Sequence, residues 1–281
     1  VFLFACLLGM ALAGRGFSCD VRFSLRLTGG MGCTSVGDLN GWRTTRSAVA
    51  AYGYNNQAAG GLKAIHLGLD GEADVLLHPN DRLALRFGAG CITVDGGKDC
   101  DRIAKSQGAD YEELDSSAQA IPLRLGVSHF FPATKKMQAF ISGGVGYYFA
   151  KVRDEIYIVE NEGTAWRQTN QEAPAGGFGL HAGAGLEIRL GNRLAVVVEA
   201  GGRMARIDDF SGDLERSFGS GATEKRSGAM YFYGADKGGG RIVRTVEIWS
   251  EQPTGADQSD IRPFELDLTA IALRAGIRIL L

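Results

Sequence analysis

Eight segments with apolar residues at every second position, connections that alternate between short and long, and 41 glycines against 6 prolines predict an all-β fold. A two-residue period is the repeat of a strand with one apolar face, so the expected architecture is an eight-stranded antiparallel up-and-down β-barrel. The 281 residues fit one such domain. The net charge of −2 gives no basic surplus for nucleic acid and no acidic block for disorder. A mean hydropathy near zero argues against a helical membrane protein. It leaves a barrel open, because barrel strands are apolar on one face only.

Residues 1–13 (VFLFACLLGMALA) form an apolar run too short to span a bilayer as a helix but suited to a signal peptide. The run closes on Ala11-Leu12-Ala13, an A-x-A cleavage pattern, which puts the mature barrel domain at 14–281 in an oxidising compartment. Loss of Cys6 with the signal leaves Cys19, Cys33, Cys91 and Cys100, with three possible full pairings or none. No C-x-x-C or His-rich spacing points to a metal.

The first strand sets Val21, Phe23, Leu25 and Leu27 against Arg22, Ser24, Arg26 and Thr28. The second sets Ile65, Leu67, Leu69, Ala73 and Val75 against His66, Asp70, Glu72 and Asp74. The third opposes Leu83, Leu85, Phe87 and Ala89 to Arg86, Gly88 and Gly90, and the fourth opposes Ile121, Leu123, Leu125 and Val127 to Arg124, Gly126 and Ser128. The fifth sets Met137, Ala139, Ile141, Val145, Tyr147 and Phe149 against Gln138, Ser142, Gly144 and Gly146. The sixth sets Phe178, Leu180, Ala182, Ala184, Leu186 and Ile188 against His181, Glu187, Arg189 and interleaved glycines. The seventh sets Leu194, Val196, Val198 and Ala200 against Glu199, Gly201 and Arg203, and the eighth sets Leu273, Ala275, Ile277, Ile279 and Leu281 against Arg274, Gly276 and Arg278.

Short turns are expected at 78–81, 132–134 and 191–193. A three-residue turn at the last pairs Ile188 with Val196 and keeps both apolar sets on one face. Long loops are expected at about 33–61, 95–117, 151–176 and 205–264. Loops of that length are rare inside compact soluble domains but usual on the outer side of a membrane barrel, opposite short periplasmic turns.

Three details place the apolar face in lipid. The polar face carries arginine but no lysine in the strand centres, and arginine is the better partner for enclosed carboxylates. Small residues (Gly88, Gly126, Gly144, Gly183, Gly276) lie mainly on the polar face, as a narrow lumen requires. Aromatics sit near strand ends, at Phe130, Phe131, Tyr147, Tyr148 and Phe149, where interfacial girdles occur. A soluble β-sandwich is the alternative that alternation alone does not exclude.

The final eight residues read Arg274-Ala275-Gly276-Ile277-Arg278-Ile279-Leu280-Leu281. This resembles the C-terminal assembly signal of bacterial outer-membrane proteins, with Arg274, Gly276, Ile279 and Leu281 at its fixed positions and Leu281 where the usual residue is Phe. Together with strand count and loop pattern, the mature chain resembles the small outer-membrane β-barrels typified by OmpA, OmpX and OmpW, within the wider porin-like group. The resemblance implies an outer-membrane location, contact with outer-membrane lipid, and delivery by the barrel-assembly machinery.

Inward charges are expected at Arg22, Arg26, Asp70, Glu72, Asp74, Arg86, Arg124, Glu187, Arg189, Glu199, Arg203, Arg274 and Arg278. Bidentate pairing offsets their desolvation, and eight-stranded interiors are usually filled by side chains, so an ion-paired plug is expected. The alternative is a narrow, weakly anion-selective pore. A lipid A- or phospholipid-modifying enzyme is a third reading, disfavoured because Ser128 and adjacent His129 point to opposite faces and His181 has no serine two residues on. Gly29-Gly30-Met31-Gly32 and 238–240 lack the Lys-Ser/Thr of a phosphate loop, and no cofactor is expected. Trp42, Tyr231, Tyr233 and Trp249 lie in expected outer loops and are candidates for contact with a surface partner. The strand-forming runs 231–233 and 241–249 suggest a hairpin extending the seventh and eighth strands, with 238–240 at its tip.

Overall fold

The computed structural model describes residues 22–53, 58–59, 64–105, 108–134, 136–160, 165–236 and 242–281. The expected signal segment, Cys19 and the glycines at 238–240 lie outside the described residues. The strands are β1 (Arg22–Thr34), β2 (Ala58–Ala59), β3 (Leu67–Asn80), β4 (Leu83–Lys105), β5 (Gly108–Pro132), β6 (Met137–Glu160) and β7 (Ala165–Arg189). They continue as β8 (Leu194–Ile207), β9 (Ser211–Phe218), β10 (Thr223–Asp236), β11 (Ile242–Trp249), β12 (Gln258–Pro263), β13 (Leu266–Asp267) and β14 (Ala270–Leu280). One helix, α1 (Asp38–Gly53), follows β1. No helix among the described residues is long and apolar enough to cross a membrane.

The fold is all-β and antiparallel. Eight strands pair in a closed ring, in the order β1, β3, β4, β5, β6, β7, β8, β14 and back to β1. The register follows the side-chain alternation. Ile188 faces Val196 across the β7–β8 turn, and Leu27 lies between Ala73 and Ile277. Along each strand apolar residues point outward (Leu27, Leu69, Leu125, Ile141, Leu180, Leu273) while the residues between them are buried inside.

Short polar side chains build the turns. Asn80 Oδ1 accepts from the N–H groups of Arg82 and Leu83, both at 2.9 Å, and Thr134 Oγ1 accepts from those of Lys136 and Met137. Close approach explains Gly276 at the seam of β1 and β14. A Cβ there would lie 1.9 Å from the Leu27 carbonyl oxygen, so only glycine fits this backbone contact.

Several sequence expectations need correction. Residues 95–117 and 151–176 are not loops, because β4 and β5, and β6 and β7, run on as paired strands. Residues 205–264 hold β9 to β12, and 33–61 holds α1 and β2. The β10–β11 hairpin does form, but it does not prolong β8 and β14. It joins the upper part of β7 through β9, and β10 then takes β11 on one edge and β12 on the other. Ile65 is buried and His66 exposed, the reverse of expectation, because β3 starts only at Leu67 and Asn40 ties down the backbone of Ile65.

Beyond the ring, β4, β5, β6, β7, β9, β10 and β11 form a second curved wall. Helix α1 packs against both β4 and β11, the two flanks of that wall. The interior here is apolar and includes Leu39, Trp42, Leu114, Val152, Phe232, Ile248 and Phe264. Outward positions become charged, as at Lys151, Arg153 and Glu172. Side chains keep strict in–out alternation along β6 while the chemistry of the two faces changes places.

Candidate functional site

The most organised polar site is the interior of the ring. Among the described residues, six arginines (Arg26, Arg86, Arg124, Arg203, Arg274, Arg278) and five carboxylates (Asp70, Glu72, Asp74, Glu187, Glu199) are buried there. They come from seven of the eight ring strands, each placed inward by the two-residue period.

Arg26, Asp70, Glu72, Asp74, Arg86, Arg124, Glu199, Arg203 and Arg274 form one connected layer, in which Arg274 lies 3.6 Å from Asp70, while Arg278 and Glu187 form a second group. Arg26 donates from Nε to Asp74 at 2.9 Å and lies 3.1 Å from Glu199. Arg86 meets Glu72 at 2.7 Å and Asp74 at 3.0 Å, and Arg124 meets Glu72 at 2.6 Å. Arg274 joins Glu72 to Glu199, the latter at 2.9 Å. Arg203 pairs with Asp70 and donates to the Leu268 carbonyl at 2.8 Å. Nearer the short turns, Arg278 donates to Glu187 at 2.6 Å, to Ser24 at 2.9 Å and to His78 Nε2 at 2.8 Å. Such multiply bonded guanidinium groups fit enclosed carboxylates better than the point charge of lysine.

Aromatic and aliphatic side chains close the layer on both sides. Arg26 lies 5.4 Å from the Phe140 ring centre and Arg278 5.1 Å from that of Phe130. Leu76, Ala84, Phe130, Phe140 and Val197 form an apolar cluster towards the short turns. The larger apolar core lies on the other side.

Two of the expected interior charges are elsewhere. Arg22 is exposed and pairs with exposed Asp81 at the short-turn end, and Arg189 is exposed beside the β7–β8 turn. Both obey the alternation but stand at strand ends, where the inward direction opens to solvent. Sequence reasoning put Gln138 and Ser142 on the polar face without pairing them to the network, and it missed His78, which it placed in a turn. Gln138 donates to Glu187 at 2.6 Å and Arg86 lies 3.4 Å from Ser142 Oγ. The extra inward steps past Asp74 were the available signal for His78.

The expected surface-contact residues also divide. Trp42 is fully buried in the upper core, and Tyr233 is buried with its hydroxyl donating to Glu247 at 2.8 Å. Burial, with the nearby Glu247 charge, pushes the Tyr233 phenol above its ordinary pKa. Tyr231 and Trp249 are half-buried, and Arg226 stacks 4.1 Å above the Trp249 ring. Of the C-terminal signal residues, Arg274 points inward into the ion-pair layer, Gly276 packs on β1, and Ile279 and Leu281 point outward.

Ser128 is buried inside while half-buried His129 sits against Phe131, 4.6 Å between ring centres, on the opposite face. His181 is buried with neither ring nitrogen hydrogen-bonded to a described residue. Cys33 and Cys91 are exposed free thiols, and among the described residues no cluster of three metal-ligating side chains occurs.

The site and fold define a closed antiparallel ring, apolar outside and ion-paired within. No protein-family model and no curated protein matches the chain. Among solved structures it is similar to a major outer membrane protein from Thermus thermophilus, at 14% identity and a TM-score of 0.39, over 93% of this chain and 100% of that one.

Proposed function

We propose that this protein is an eight-stranded outer-membrane β-barrel with a side-chain-plugged lumen, whose role is structural or one of surface interaction through the wall beyond the membrane. The observation that carries the reading is the pairing of a closed ring with an apolar exterior and a charged interior. A soluble domain has the opposite arrangement, and its open sheet edges are absent from the ring. The dimensions agree. Outward apolar residues on β6 run from Ala139 to Phe149. At about 3.3 Å per residue and a tilt of ~45°, that segment spans about 25 Å of depth, the height of an outer-membrane apolar band.

In this reading Tyr147, which meets both Phe149 and Phe178 edge to face, forms with them the girdle on the side of the second wall. The chain is exported by its N-terminal segment and presents Arg274 to Leu281 to the barrel-assembly machinery. The ion-pair layer fills the lumen, so the protein neither conducts nor catalyses through it. Two measurements test this. Refolded protein in detergent should migrate differently before and after boiling. In planar bilayers the same sample should show no single-channel steps. Absence of the mobility shift together with solubility after detergent removal would overturn the membrane barrel. Steady conductance would overturn the plug.

A further inference from the structure

The outward apolar band is not flush everywhere. Gly202 of β8 faces Ala182 of β7 on one side and Ile271 of β14 on the other. Two small outward residues thus lie between the taller Leu180, Met204 and Ile271, leaving a furrow of about 710 Å³. A second furrow of about 640 Å³ shares Leu180, Met204 and Thr269 with the first and runs past Phe178 to Arg206 and Asp267.

The break between β13 and β14 shapes this place. The Leu268 carbonyl turns to Arg203 inside the ring, its N–H donates to the Ala205 carbonyl, and Thr269 is left lining both furrows. The furrow therefore ends at a charged group. Arg206 is 72% exposed, and its nearest carboxylate, Glu265, is 3.9 Å away and itself substantially exposed. By contrast Lys151 and Arg153, the outward cations of β6, are both held by Glu172 within 3 Å. Asp267 is turned to its own backbone, accepting from the Thr269 N–H at 2.9 Å.

We infer that the furrow is a binding site for one zwitterionic phospholipid, with an acyl chain along Met204, the phosphate on Arg206 and the amine on Glu265. This rests on the membrane reading above. A cation that closes an apolar channel fits a phosphodiester above its acyl chain. The flanking carboxylates Glu265 and Asp267 disfavour a purely anionic headgroup and complement a headgroup that carries its own cation.

The test is native mass spectrometry of the full chain in mild detergent, with added phosphatidylethanolamine or phosphatidylglycerol of matched acyl chains. The expected result is one retained phosphatidylethanolamine, bound at least ten-fold more tightly than phosphatidylglycerol. Arg206→Gln should weaken retention by about ten-fold or more. Gly202→Leu should do the same by filling the furrow, and it has room to fold, because the nearest atom to a Cβ there is 3.8 Å away. Equal retention of both lipids, or indifference to both substitutions, would overturn the site. So would a lipid-free dimer abolished by Gly202→Leu, which would make a second copy the occupant. A boiling-dependent mobility shift on the same sample separates the two levels. Without the shift the membrane reading fails, whereas with the shift but no bound lipid only this inference fails.

Discussion

Glu72 receives Arg86, Arg124 and Arg274 from three different strands. Removing its charge leaves three buried guanidinium groups short of a partner, so Glu72→Gln should destabilise the folded protein by about 3–5 kcal/mol. Urea unfolding in detergent micelles would show it. Arg22→Gln and Arg189→Gln, at exposed strand ends, should change stability by less than about 0.5 kcal/mol in the same assay. On the outer face Leu125→Arg should cost about 2–4 kcal/mol in a bilayer if it lies near the midplane. Which residues point in and which point out was legible at this scale, since a two-residue period admits one answer once the apolar set is recognised. Where inward stops meaning enclosed was not legible. That depends on how far each strand end projects, which is why Arg22 and Arg189 look like Arg26 and Glu187 in the sequence and differ in the molecule.

Among the elements, α1 was the least visible. Its first two turns include Gly41, Trp42, Arg43, Thr44 and Thr45, a poor helix sequence, and tertiary bonds hold it instead. Arg262 grips Asp38 with both terminal nitrogens, Asp38 also accepts from the Glu265 N–H at 2.9 Å, and Asn40 bonds the backbone of Ile65 in both directions. None of these partners is near in sequence. Asp38→Ala should therefore loosen the helix without opening the ring, seen as faster hydrogen exchange in 38–45 with the boiling-dependent mobility unchanged. The eight ring strands were legible as elements because one face of each is continuously apolar. The upper halves of β4 to β7 were not, because there charged residues occupy the positions that marked the outside lower down.

For the whole molecule, pH acts on the second wall. Hydrogen bonds from Lys151 and Arg153 hold the Glu172 carboxyl below its ordinary pKa. Partial burial would raise that of Glu224, but a hydrogen bond from Arg226 and the charges of Arg216 and Arg226 outweigh it and lower the value. Groups with lowered folded values contribute stability above the unfolded carboxylate range of about 4 and lose it as pH falls through the folded values. Hydrogen exchange in β9 and β10 should thus stay slow at pH 6 and rise below about pH 4. The ring was legible as a whole from turn lengths and parity, whereas the second wall was not, since β7 changes neighbour from β8 to β9 partway along its length.

In the proposed membrane barrel, the exchange of chemistry between the two faces along β6 has a consequence for how deep the protein sits. The backbone is continuous and the alternation unbroken across Phe149 and Lys151, so nothing in the chain's geometry fixes the waterline. Its height is written only in the identity of outward side chains. Substituting leucine for Lys151, Glu172 and their outward neighbours would let the molecule sink by one step without altering a single backbone hydrogen bond. The same scaffold could then be trimmed to membranes of different thickness by surface substitution alone.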